Sequence, residues 1–193
     1  MKKPLVSIII PVYNGEKYIK RCVNSALNQT YENIEVLVIN DWSSDNTLNI
    51  LNDLVETDTR IRIFSHKNHG VWYSRNIWID SAKWEYITFM DVDDFVKDDF
   101  IEKFINTVRA NDYDVVIWWY IKYRPNYEKI IQINDNSIWK YFNGQPRWKF
   151  FNRSFLLNND IKFLDRYPWE DVYFSILTYN KTNKIWIILS KTK

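Results

Sequence analysis

The chain opens with short continuous apolar runs separated by stretches in which apolar residues return every three or four positions. Val6–Ile10 (V-S-I-I-I), Ile34–Ile39, Ile61–Phe64 and Tyr86–Met90 are runs of the first kind. Bounded by polar and turn-forming residues, they predict strands covered on both faces. From Asn14 or Gly15 onward, Tyr18, Ile19, Cys22, Val23, Ala26 and Leu27 recur at helical spacing and predict one buried face. Asp41–Thr47 is rich in turn and cap residues and opens a second helix, with Leu48, Leu51, Leu54 and Val55 facing inward. Val71–Lys83 forms a third helix. The order β-α-β-α-β-α-β predicts a parallel sheet with helices on its faces.

The pattern then becomes less regular. Asp98–Ala110 reads as a helix with Phe100, Ile101, Phe104, Ile105 and Val108 inward. Val115–Tyr120 and Lys129–Ile133 read as strands, the second as an antiparallel edge. Asn134–Pro146 is mixed. Arg153–Asn158 is a short helix and Ile161–Phe163 a short extended piece. Glu170–Tyr179 is helical, with Val172, Ile176 and Tyr179 on one face, and Lys184–Leu189 is a last strand. No repeat, low-complexity segment or linker interrupts the chain. It therefore divides into residues 1–95, a nucleotide-binding type of α/β half, and residues 96–193, an irregular and partly antiparallel half of the same domain.

Composition narrows the function. At 193 residues the chain is long enough for one domain with a real core. Its 26 basic and 24 acidic residues are well mixed and sum to +2, which excludes a nucleic-acid stripe or a polybasic membrane patch. Cys22 is the only cysteine, so there is no intrachain disulfide and no cysteine metal site; a reducing compartment fits. The N-terminal apolar run resembles a signal peptide, but Pro11 breaks it and no small-residue cleavage site follows. No run approaches the roughly 20 apolar residues of a membrane span. One count is anomalous. There are 10 Trp and 3 Gly, where a chain of this size ordinarily carries roughly 13 Gly.

The strand Tyr86–Met90 runs directly into Asp91, Asp93 and Asp94. Ligands of open α/β sheets bind outside the carboxyl ends of strands. Carboxylates this close repel one another unless solvent or a cation relieves them. A hard divalent cation is one reading. The other is a solvated acidic turn capping the next helix.

Four blocks in order, V-S-I-I-I-P-V-Y-N, I-N-D-x-S-S-D-N-T, N-H-G-V-x-Y-S-R-N-I-x-I-D-S-A-K-x-E-Y-I-T-F-M-D-V-D-D and E-D-V-Y-F, resemble the family 2 glycosyltransferases of the GT-A fold. The resemblance is dense over residues 4–110 and thinner over 148–180. It implies an inverting transferase that takes a nucleotide-activated sugar, commonly a uridine diphosphate sugar, with Mn²⁺ or Mg²⁺, and passes it to a saccharide or lipid-linked acceptor. It also implies cell-surface polysaccharide or glycoconjugate synthesis in the cytoplasm, with peripheral association at the inner face of the membrane. Relatives commonly continue beyond the E-D helix, where a further metal ligand could reside.

The same resemblance places Pro11, Tyr13 and Asn14 beside the nucleobase and ribose. Tyr13 offers a ring face to a base. Asp41 accepts hydrogen bonds from uracil or ribose, the alternative being an N-cap. Asn68 and Arg75 fall near the nucleotide, and Arg75 is suited to a phosphate or to a salt bridge with Asp91 or Asp94. Asp91 and Asp93 are assigned the metal, with Asp93 the first choice as direct ligand and Asp94 fixing the shell or the sugar. Glu170 and Asp171 match the E-D pair, with Asp171 the general base for the acceptor hydroxyl, its pKa raised by the metal carboxylates beside it. His66 and His69 read as surface or loop residues.

A nucleotidyltransferase would need a Gly-rich phosphate loop after strand one, which P-V-Y-N-G-E-K lacks. A plain interaction domain leaves D-V-D-D and E-D unexplained. A catalytically degenerate sugar-nucleotide-binding module remains the alternative. The tryptophans sharpen it. Trp42, Trp72, Trp78, Trp84, Trp148 and Trp169 stand where the resembled family has glycine. Glycines written as tryptophan, through a UGA codon that the source organism reads as glycine, would explain both counts. Real indoles at 42, 72 and 169 would crowd the donor site instead.

Overall fold

The computed structural model describes residues 3–67, 70–81, 85–108, 113–120, 129–133, 146–165 and 169–190. Every residue of β1 (Val6–Val12) and β2 (Ile34–Asp41) is buried, as continuous apolar runs require. They lie in an eight-stranded sheet of order β3-β2-β1-β4-β7-β5-β8-β6. Its other strands are β3 (Ile61–His66), β4 (Tyr86–Phe89), β5 (Val115–Tyr120), β6 (Lys129–Ile133), β7 (Lys149–Asn152) and β8 (Ile185–Ser190). Parallel pairing joins β3, β2, β1 and β4, with Ile9 opposite Leu37 on one side and Phe89 on the other. β7 runs antiparallel to both β4 and β5, β8 is parallel to β5, and β6 closes the far edge antiparallel to β8.

Alternation along the strands sorts the core onto two faces. Ile8, Ile10, Val36 and Val38 pack with α1 (Ile19–Leu27), α2 (Thr47–Thr57) and α4 (Phe100–Val108). Ile9, Leu37, Ile39, Ile87 and Phe89 face α3 (Val71–Ser81), α5 (Arg153–Asn158) and α6 (Glu170–Asn180). The second face is aromatic: Phe163 and Phe174 stack with centroids 3.9 Å apart, and Phe89 meets both edge-on. Pro11 is tolerated in a central strand because Ile9 is the last β1 residue paired with β4. The missing N–H of Pro11 points to where β4 has already ended.

Several expected boundaries move. The first helix begins at Ile19, preceded by a turn in which Tyr18 and Ile19 both donate to Gly15 O at 2.9 Å. Tyr18 is therefore exposed. Leu48 and Val55 are also exposed; the buried positions of α2 are Thr47, Leu51 and Leu54, a narrower stripe than the apolar residues alone suggested. On α6 the buried face is Phe174, Ser175, Thr178 and Tyr179, while Val172 and Ile176 are half-buried. β7 was not anticipated, and Ile161–Phe163 forms no strand. Positions 82–84 and 109–110, expected as helix ends, and 134–145 lie outside the described residues, as do Asn68 and His69.

Candidate active site

Six of the eight strands point their carboxyl ends to one edge of the sheet. The chain order reverses direction between β1 and β4, which opens a crevice there. Two loops line it and are laced together. Asn14 N–H donates to Ser43 Oγ (2.9 Å), and Asn14 Oδ1 accepts from Ser44 N–H (2.8 Å). Gly15 N–H donates to Thr47 Oγ1 and Glu16 N–H to Asp45 Oδ2, while Glu16 accepts from Asn46 N–H. A Cβ on Gly15 would come within 2.5 Å of Val12 and 2.9 Å of Val92, so only glycine permits this contact between the β1 exit and the acidic turn.

Asp41 closes β2 and is buried. It does not cap α2; Asp45 serves that end through Thr47 N–H. Asp41 Oδ2 accepts from Gly70 N–H at 3.2 Å, and its Oδ1 lies 3.3 Å from His66 Nδ1. His66 Nε2 reaches Ser74 Oγ at 2.8 Å. His66 is thus a nearly buried strut between Asp41 and α3, not the surface residue expected from sequence. Tyr13, by contrast, directly follows β1 and is 54% exposed.

Beyond Phe89 the chain turns, with Asp94 N–H on Asp91 O at 3.0 Å. One carboxylate oxygen each from Asp91, Asp93 and Asp94 lies within 4.8 Å of the others. Two guanidinium groups interleave with these acids. Arg147 Nη1 sits 3.2 Å from Asp94 and 3.4 Å from Asp91; Arg75 Nη2 sits 3.6 Å from Asp91, and its Nη1 bonds Asp171 Oδ1. A continuous chain of alternating charge therefore runs Asp94–Arg147–Asp91–Arg75–Asp171. Burial pushes the Asp94 carboxyl above its ordinary value; Arg147 opposes, and Asp91 and Asp93 add to the rise. Burial likewise raises Asp171, against Arg75 and with help from Glu170 and Asp91. The buried Cys22 thiol is raised too, first by burial and then by the three aspartates, so it is inert.

Glu170 and Asp171 form the first turn of α6, where the helix dipole favours acids. Two buried polar atoms here have no hydrogen-bond partner among the described residues: Arg75 Nε and Glu170 Oε2. Beneath them lies Lys149, 1% exposed, with Nζ 3.3 Å from Ser175 Oγ and 5.3 Å from the centre of the Tyr179 ring. Burial lowers its pKa to about 7, against the attraction of Asp171. Arg147 and Lys149 escaped the sequence reading. They arrive through β7, a four-residue strand whose entry, running opposite to β4, lands on the carboxylate edge. Its available signal was the alternation of Arg147 and Lys149 before Phe150-Phe151.

The carboxylate oxygens suit a hard divalent cation, being close together, half-buried at Asp91 and Asp94, exposed at Asp93, and under mutual repulsion. The tryptophans fall into distinct groups. Among the described residues, four non-glycine positions have positive φ: Asn14, Trp42 (61°), Trp148 (63°) and Asp160. Asn and Asp tolerate that region; an indole-bearing residue does not. Trp42 is 60% exposed at the end of β2. Trp72 packs against Gly70, next to Asp41. Trp78 is accommodated in the core under Arg62, yet its buried indole N–H has no acceptor among the described residues. Trp169 is exposed with φ −108°, an ordinary backbone, and Trp84 lies outside the described residues.

A family model described as Glycosyl transferase family 2 matches residues 7–169. Glycosyltransferase GlyG of Streptococcus pneumoniae serotype 4 is 33% identical over 189 residues, covering 89% of this chain and 60% of GlyG. S. aureus TarS 1–349, solved in complex with UDP, superposes with a TM-score of 0.81 at 23% identity, covering 98% of this chain and 61% of that one. The mannosyltransferase PcManGT from Pyrobaculum calidifontis, solved with GDP-Man and Mn²⁺, gives 0.74 at 16% identity, covering 98% and 57%. The chain spans about half the length of the curated relatives it matches.

Proposed function

The chain belongs to glycosyl transferase family 2, and from that premise we propose that it moves a sugar, with inversion, from a nucleoside diphosphate sugar to a hydroxyl of a saccharide or lipid-linked acceptor. A uridine diphosphate sugar is the favoured donor, and cell-surface polysaccharide or glycoconjugate synthesis the setting. The observation that carries this reading is the acidic turn at the end of β4, linked through buried Arg75 to Asp171 on α6. Neighbours of the same fold that hold UDP, UDP-GlcNAc, or GDP-Man with Mn²⁺ support the donor class.

In this reading the exposed Tyr13 receives the base, the buried Asp41 accepts from base or ribose, and Pro11, Asn14 and Asn68 shape that pocket. Arg75 contributes positive charge where the diphosphate ends. Asp91 and Asp93 would hold Mn²⁺ or Mg²⁺, with Asp94 steadying them; bound there, the cation offsets charge developing on the leaving diphosphate. Asp171 is held by Arg75 through Oδ1. Its Oδ2 takes the proton of the acceptor hydroxyl as the hydroxyl oxygen attacks the anomeric carbon and the nucleoside diphosphate leaves on the opposite side. Glu170 Oε2, buried and without a partner among the described residues, would accept from a sugar hydroxyl. No helix among the described residues is long and apolar enough to cross a membrane; we place the reaction in the cytoplasm, at the inner membrane face.

A second reading, a binding module without turnover, is favoured by the bulk of Trp42 and Trp169 at the crevice. Incubation with a panel of nucleoside diphosphate sugars, with Mn²⁺ or with chelator, separates the two. Metal-dependent release of nucleoside diphosphate supports the transferase. Saturable donor binding without release over long incubation supports the module.

A further inference from the structure

The two arginines on the acidic turn are held very differently. Arg75 is almost fully buried, clamped to Asp171, and lies over the Phe89 and Phe163 rings. Arg147 is on the open side, its side chain 31% exposed. Its backbone is pinned by a single bridge to Phe89 as the chain enters β7, so the guanidinium is delivered from a fixed base on a free stem. One nitrogen, Nη1, spans Asp91 Oδ2 and Asp94 Oδ2 at 3.4 and 3.2 Å. Tight charge-assisted bonds are about 2.7–2.9 Å. The contact is therefore that of a loosely held counter-ion, and it occupies carboxylates of the same turn that a divalent cation would require.

We propose that Arg147 is an internal counter-cation that exchanges with the divalent metal: it neutralises Asp91 and Asp94 while the turn is metal-free and withdraws when the metal binds. The inference rests on the metal reading above and adds a residue to it. Arg75 cannot take this role, because its second bond to Asp171 and its burial fix it in place. Exchange keeps the clustered carboxylates compensated in both states, so the turn need not rearrange when a cation arrives. It also weakens metal binding by the strength of the contact that must be given up.

The test compares the wild type with Arg147→Gln and Arg147→Lys, using Mn²⁺ and Mg²⁺ alone and reading affinity by calorimetry. Arg147→Gln is expected to bind either cation about tenfold more tightly. It should also melt earlier than wild type without metal and equally with metal. Arg147→Lys, which keeps the charge, should restore the weaker affinity. In ¹⁵N spectra the Arg147 guanidinium signal, identified by its loss in the glutamine variant, should shift when diamagnetic Mg²⁺ saturates the protein. Equal or weaker cation binding by Arg147→Gln overturns the exchange. So does a guanidinium signal that stays put while Mg²⁺ binds. If neither protein binds either cation, the metal reading itself falls, and the exchange falls with it.

Discussion

Replacing Trp42 separately by alanine and by glycine gives a direct reading of the backbone at the end of β2. Both changes remove the same indole, so whatever its partial burial contributes cancels between them. What differs is the backbone. At φ 61° an L-residue with a Cβ is strained by roughly 1–2 kcal/mol, and glycine is not. Glycine's freer unfolded chain offsets about 0.5–1 kcal/mol of that gain. Trp42→Gly is therefore expected to exceed Trp42→Ala by about 1 kcal/mol, or roughly 2–4 °C in midpoint for a chain of this size. Trp148, with φ 63°, should show the same sign. Trp169 is the control: it is similarly exposed, but its φ is −108°, so alanine should exceed glycine there. Thermal and urea unfolding followed by circular dichroism measure the pairs. If alanine matches or exceeds glycine at position 42, no left-handed strain exists there, and the glycine interpretation of the tryptophans loses its physical support.

If those tryptophans are glycines in the native protein, a mass spectrum of the peptide spanning residue 42, taken from the source organism, reads glycine; tryptophan in that peptide refutes recoding. Asp93→Ala should abolish metal-dependent turnover while leaving the circular dichroism spectrum unchanged, and near wild-type activity in the presence of chelator would contradict its role. Asp171→Asn should lower turnover by about 10²-fold or more with donor affinity nearly intact. Because Asp171 is raised and must be unprotonated to act, wild-type turnover should fall as pH drops through that raised value, and the variant should lack this limb. Lys149 has the opposite sense: its pKa falls from 10.5 to about 7 on folding. The unfolded chain then binds the extra proton across that window, so stability rises with pH by at most about 1.4 kcal/mol per unit. Lys149→Met should flatten this slope between about pH 7 and 9, and an unchanged slope would show that the ammonium is not desolvated.

The parallel half was legible because its signals are local. Continuous apolar runs mark strands buried on both faces, and D-V-D-D marks the carboxyl end of one of them. The E-D pair was legible as a helix start carrying acids. What escaped depends on contacts distant in sequence. His66 looks like a loop residue until Asp41 and Ser74 close on it from two other elements. Leu48 and Val55 are apolar at helical spacing, yet α2 packs against α1 and the edge strand β3 through a narrow buried stripe that leaves both exposed. β7 is too short to show a period, and its entry through Trp148 with positive φ has the backbone of a turn, not of a strand. Arg147 and Lys149 were hidden with it.

The reversal of β7 also has an evolutionary consequence. β5 ends, and β7 begins, on the same edge of the sheet as the acidic turn. The connecting segment is thus anchored at both ends beside the crevice, and its one described strand, β6, pairs only with β8 at the outer margin. Lengthening or rewriting that segment leaves the pairing of β1, β2, β4 and β7 untouched. Such a stretch is an exchangeable cassette. Its length and sequence are free to change without disturbing the strands that carry the acidic turn.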